Sequence, residues 1–176
     1  DSLYDRIGYV TQKAVLFAGD IRENVLFGES AAEQTDENVS RALELAQASE
    51  FVQKLPGGIN APITEGGTNV SGGQKQRLSI ARALARQPEI LIFDDSFSAL
   101  DYKTDSMLRK GLKEHLGNTT RMIVAQRIGT IRDADKIVVL DEGRAVGIGR
   151  HEELLKNCPV YREIAMSQLS AEELGE

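Results

Sequence analysis

After Pro88 the chain runs Ile90-Leu91-Ile92-Phe93 and passes directly into Asp94-Asp95. A continuous apolar run of this length, ended by acid, reads as a strand buried on both faces, the kind found in parallel sheets between layers of helix. Arg121 to Ala125 and Lys136 to Leu140 repeat the composition and read as a second and a third such strand, with Asp101 to Leu116 as a helix between the first two. Upstream, Arg6 to Val10 reads as a short strand and Thr11 to Gly19 as a loop. Asp20 stands where an N-cap would start a helix, and Thr35-Asp36-Glu37-Asn38 has the form of a capping-box variant, with Val39, Ala42, Leu43 and Ala46 at helical spacing behind it. The prolines and glycines between Leu55 and Val70 mark a loop, and Gly72 to Arg86 returns to helix. Asp141-Glu142-Gly143-Arg144 is a hairpin turn into Ala145 to Ile148, and His151 to Asn157 and Pro159 to Gln168 are surface helices. The expected class is therefore α/β, a parallel-sheet core carrying an inserted α-helical subdomain. Its divisions are a core strand and loop at 1–19, a helical subdomain at 20–86, the rest of the core at 87–168 and a polar tail at 169–176.

The 176 residues suffice for one domain with a real core. A formal charge of −6 argues against a protein that holds nucleic acid by bulk electrostatics. Cys158 is the single cysteine, so no disulfide framework exists, which fits a reducing, cytosolic setting. No apolar run approaches the roughly 20 residues that cross a bilayer, and the first residues, Asp1 to Arg6, are polar rather than a signal peptide. Any membrane role is expected to come through another segment.

Two stretches carry chemistry. Asn69-Val70-Ser71-Gly72-Gly73-Gln74-Lys75-Gln76-Arg77 opens a helix at Ser71, where glycines permit close backbone approach and first-turn amides with the helix dipole attract anions. Asp94, at a strand end, is suited to hold Mg²⁺ beside nucleotide phosphates. Together with Ser98-Ala99-Leu100-Asp101, these stretches resemble the signature motif, Walker B strand and D-loop of ATP-binding cassette (ABC) ATPases, whose fold is a P-loop NTPase (RecA-like) core. The resemblance extends to Gln12, matching the Q-loop glutamine. It implies ATP and Mg²⁺ as cofactors, Gln12 and Asp94 as metal ligands, and Ser71, Gly72, Gly73, Gln74 and Asp101 at a nucleotide shared across a dimer interface. Glu65-Gly66-Gly67 after Ile63-Thr64 resembles the exporter-type loop that touches intracellular helices of a transmembrane domain, and Ala14 to Phe17 followed by Asp20 to Val25 resembles exporters more than importers.

Two departures shape the expectation. Asp95 stands where efficient family members place a glutamate general base, and the missing methylene withdraws the carboxylate by about 1.5 Å. Gln126 stands where the family carries its switch histidine; an amide can donate one hydrogen bond but cannot carry positive charge or relay a proton. The site on this chain's own side is thus expected to be degenerate, while the intact signature would complete the ATP site of a second, different nucleotide-binding domain. No Gly-x-x-x-x-Gly-Lys-Ser/Thr phosphate loop occurs in the 176 residues, so the chain reads as an exporter nucleotide-binding domain truncated after that loop. The parent would be an ATPase at the cytoplasmic face of the cell membrane, while this chain, soluble, would be inactive alone and open to self-association through an exposed sheet edge. The rivals are a soluble ABC ATPase of DNA repair, chromosome structure or translation, the repair and chromosome types disfavoured because no heptad run is present, and a non-hydrolysing regulatory module, which the catalytic substitutions permit and the intact signature argues against. His115 and His151 fall outside every motif and read as solvated surface residues.

Overall fold

The structure is a computed structural model that describes residues 3–28 and 32–169. The tail assigned to 169–176 lies, beyond Leu169, outside the described residues. The chain forms two compact units, residues 1–124 and 125–176.

The first unit holds β1 (Ile7–Val10), β2 (Gly19–Asp20), α1 (Ile21–Val25), α2 (Asp36–Leu45), α3 (Ser49–Lys54), β3 (Pro62–Ile63), α4 (Gly72–Ala85), β4 (Ile90–Asp94), α5 (Tyr102–His115) and β5 (Thr120–Val124). Strands β1, β4 and β5 form one parallel sheet in that order, with Tyr9, Ile92 and Met122 in one cross-strand row and Val10, Phe93 and Ile123 in the next. The whole helical block lies between β1 and β4 in sequence, as expected of an insertion into an α/β core. One face of the sheet is closed: Val10, Leu91 and Phe93 are buried among Leu78, Ile80, Leu108 and Leu112. The other face is open, with Tyr9, Met122 and Val124 each more than half exposed. The expectation that Ile90–Phe93 and Arg121–Ala125 are buried on both faces is therefore met on one side only. An apolar run lets a strand be buried twice, but the elements packed against it decide whether it is.

The helix starts follow their local signals. Asp20 and Glu23 form a reciprocal capping box on α1, and Ser71 and Gln74 form another on α4. Thr35 caps α2 through the amide of Asn38, and Asp101 caps α5 through Thr104. The expected loop at 55–70 contains the two residues of β3, which pair antiparallel with β2.

Buried Asn24 ties this unit together. Its Oδ1 accepts the Phe17 amide (2.9 Å) and the Arg82 guanidinium (2.9 Å), while its Nδ2 donates to the carbonyls of Phe17 (2.9 Å) and Asp20 (3.0 Å). Burial lowers the pKa of Arg82, which also donates to the Asn24 carbonyl and lies over the stacked rings of Phe17 and Phe27. Asn24→Ala would strip partners from the Phe17 amide and from part of this guanidinium at once. At about 1–3 kcal/mol for a buried group left unpaired, the variant is expected to lose on the order of 3 kcal/mol. Urea titration checks this, as a fall in midpoint at unchanged slope.

The second unit holds α6 (Ile128–Ile131), β6 (Ile137–Asp141), β7 (Arg144–Gly149), α7 (His151–Asn157) and α8 (Pro159–Gln168). β6 and β7 form the expected hairpin. Glu142 (φ 45°) and Gly143 (φ 76°) both take the left-handed conformation that a two-residue type I′ turn requires. Here too the double burial expected of residues 136–140 is not met: Ile137 and Val139 are buried beside Leu154 and Tyr161, while Val138 and Leu140 are exposed. His151 is not a free surface residue. Its Nδ1 lies 2.8 Å from the hydroxyl of buried Tyr161, whose pKa desolvation pushes up to about 12. Desolvation, reinforced by Arg132, lowers the pKa of His151 itself. His115 is exposed, as expected.

Candidate nucleotide site

The C-terminal ends of β1 and β4 lie side by side, and four polar side chains meet there. Asp94 closes β4, and its Oδ2 accepts a hydrogen bond from the Tyr9 hydroxyl at 2.8 Å. This bond, followed by desolvation, raises the pKa of Tyr9. Asp95 follows in the left-handed region (φ 46°), uncommon for a residue with a Cβ and more frequent at functional turns. Its amide donates to the Val124 carbonyl (2.9 Å) and its carbonyl accepts the Ser98 hydroxyl (2.7 Å), so the turn is held on both sides. Gln12 Nε2 donates to Asp95 Oδ2 at 3.1 Å, joining two residues that the sequence placed at one site. Ser96 is fully buried, and its hydroxyl has no hydrogen-bond partner among the described residues.

The donor set suits Mg²⁺. A hard cation prefers oxygen, and Mg²⁺ commonly takes only one or two carboxylates while keeping water and phosphate oxygens. Asp94 offers that carboxylate, and with Gln12 Nε2 committed to Asp95, the Gln12 amide oxygen is the atom left for the metal.

The second constellation is the N-terminus of α4. Ser71 Oγ accepts the Gln74 amide, and Gln74 Oε1 accepts the Ser71 amide. This box leaves the amides of Gly72 and Gly73 outside it, where an anion can be met. A Cβ placed on Gly72 would meet open space, and one on Gly73 would meet only the Ala99 carbonyl at 3.5 Å. Gly73 therefore adjoins the Ser98–Asp101 turn. Thr104 holds Asp101 from backbone and side chain, which lowers the pKa of its carboxyl. Gln126 belongs to the second unit, where its carbonyl accepts a hydrogen bond from Gln168 at 2.9 Å.

Two contributors escaped the sequence reading. Tyr9 reaches Asp94 only because of the β1–β4 register. Buried Gln76 donates to the Thr11 carbonyl at 3.2 Å, tying α4 to the residue before Gln12. Its place on the inner side of a helix was the only signal available. The segments resembling exporters adjoin each other, since a Cβ on Gly67 would stand 3.1 Å from Leu16. Beside Leu16, Phe17 and Phe27 stack at 4.2 Å, yet are 40% and 52% exposed.

A parallel α/β sheet with two acids at a strand end and a glycine-opened helix N-terminus defines a nucleotide-binding class of protein. The family model described as ABC transporter matches residues 1–98. An uncharacterized ABC transporter ATP-binding protein of Mycobacterium tuberculosis is 42% identical over 176 residues, covering 99% of this chain and 30% of the relative. A multidrug resistance ABC transporter ATP-binding and permease protein of Lactococcus lactis is 40% identical over 165 residues, 94% of this chain and 28% of the relative. The solved structure of a bacterial Atm1-family ABC exporter with ATP bound superposes with a TM-score of 0.89 at 36% identity, over 96% of this chain and 30% of that one. The chain belongs to the ABC transporter family. It spans about 30% of the length of these relatives. Among the described residues no helix is long and apolar enough to cross a membrane.

Proposed function

We propose that this chain is the signature-bearing part of a nucleotide-binding domain in an ABC exporter, one half of a heterodimer whose two ATP sites are unequal. The observation that carries the reading is the contrast between its two constellations. The N-terminus of α4 is open at Gly72 and Gly73, as a phosphate requires, whereas the acid after Asp94 is the shorter Asp95, already hydrogen-bonded to Gln12.

In this reading Ser71, Gly72, Gly73 and Gln74 serve ATP held by the partner domain, with Asp101 across the same interface. Gln12 and Asp94 hold Mg²⁺ on this chain's side, where the bound ion neutralises phosphate charge. Asp95 and Gln126 occupy the base and switch positions and perform them poorly, so hydrolysis runs mainly at the partner's site. The proposed divisions are the core at 1–19 and 87–168, the helical subdomain at 20–86 and the polar tail at 169–176. The exposed Phe17–Phe27 pair, in which Phe17 follows Leu16 where that residue stands against Gly67, supplies an apolar surface for intracellular helices of a transmembrane domain. ATP closure would thus move the transmembrane partner at the cytoplasmic face of the membrane. The 176 residues alone, carrying no phosphate loop, would turn over no ATP. A soluble ABC ATPase is the less favoured reading, since relatives with permease segments match nearly the whole chain.

Distance measurement tests the proposal without knowledge of the exported substrate. Spin labels at Lys103→Cys, exposed on α5 two residues after Asp101, and at a surface position near the partner's phosphate loop, in the parent heterodimer, should approach each other when ATP and Mg²⁺ are added. A distance distribution indifferent to nucleotide would overturn it.

A further inference from the structure

Adjacent acids at the end of β4 are each held by one donor from the end of β1: Asp94 by Tyr9, and Asp95 by Gln12. Gln12 is accounted for by the reading above; Tyr9 is not. Its Cα partner in the sheet is Ile92, so the ring leans diagonally along the strand to bring its hydroxyl to Asp94, two residues further on. Tyr9 is 53% exposed, and water could satisfy its hydroxyl, so burial does not force this bond. The bond has a consequence for Asp94 instead. A strand-terminal carboxylate facing solvent can rotate, and a donor at 2.8 Å on Oδ2 selects one orientation.

We infer that Tyr9 is a positioning residue for the metal-holding carboxylate: its hydroxyl engages Oδ2 of Asp94, fixing the carboxyl group and leaving the metal the lone pairs that Tyr9 does not occupy. The inference rests on the assignment of Asp94 to Mg²⁺ under the proposed function. Carboxylates that ligate metals are themselves oriented by hydrogen bonds, and loss of such a partner typically lowers metal affinity about 10–100-fold. Tyr9 tunes the site without touching metal or nucleotide.

The test uses the parent heterodimer with ATP and with Mn²⁺ as the probe, read by electron paramagnetic resonance. The partner's own strand-end carboxylate is replaced by an amide, so that the signal reports this chain's side. Tyr9→Phe removes one oxygen and keeps the ring. It should raise the Mn²⁺ dissociation constant about 10-fold while leaving the metal-free melting temperature unchanged. Asp94→Asn, measured in parallel, should abolish binding on this side. If Asp94→Asn abolishes binding and Tyr9→Phe leaves it unchanged or tighter, the positioning role is overturned and the metal site stands. If Asp94→Asn has no effect, the metal assignment fails, and the inference with it. Weaker binding with a matching loss of metal-free stability would make Tyr9 a structural contact and also overturn the inference.

Discussion

Gly73→Asp in the parent heterodimer is expected to abolish steady-state ATP turnover, a loss of at least about 10²-fold, while the domain stays folded. Stability is spared for two reasons. A Cβ at Gly73 meets nothing nearer than the Ala99 carbonyl at 3.5 Å, an ordinary contact. An acid in the first turn of α4 is also favoured by the helix dipole. The loss falls on the ligand: the new carboxylate stands where phosphate must approach the amides of Gly72 and Gly73, and like charges repel strongly in a site that excludes water. The experiment discriminates because Asp94, Asp95 and Gln12 of this chain are untouched. Asp94→Asn should instead cost Mg²⁺ binding on this side and leave partial turnover at the partner's site. Should Asp94→Asn stop turnover while Gly73→Asp is mild, the competent site lies on this chain's side and the proposed asymmetry is reversed.

The second large effect runs in the direction of gain. Asp95→Glu advances the carboxylate by about 1.5 Å, and a misplacement near 1 Å can cost on the order of 10²-fold in rate. Asp95 sits in a left-handed turn anchored through Val124 and Ser98, so the backbone cannot easily shift to make up the missing length. The longer side chain is expected to raise single-turnover hydrolysis at this site about 10-fold or more, measured with the partner's site disabled. Adding Gln126→His should raise it further, because an imidazole regains the capacity to carry charge at the γ-phosphate. No gain in the double variant would place the defect elsewhere, for instance in the partner's signature.

Much of the local structure was legible in the residues. Asp20, Thr35, Ser71 and Asp101 each cap the helix their position announced, and Glu142-Gly143 makes the hairpin turn. These outcomes depend on groups within a few residues of one another, so the chemistry is present in the linear order. The motifs were legible for the same reason, and the pairing of Gln12 with Asp95 follows once two strand ends are neighbours. His151 shows where such reading stops: nothing nearby in sequence declares that Tyr161 will take its ring nitrogen in a half-buried contact.

By itself, the sequence determined the class of fold, the helix starts, the strand-end acids and the glycine-opened helix, because each is a short-range pattern of polarity and backbone freedom. Only the tertiary structure decided which sheet face is covered, that Asn24 and Arg82 share one polar knot, and that Tyr9 holds Asp94. Those facts turn on strand register and on which helices pack where, and such contacts join residues tens of positions apart whose individual identities do not encode their meeting.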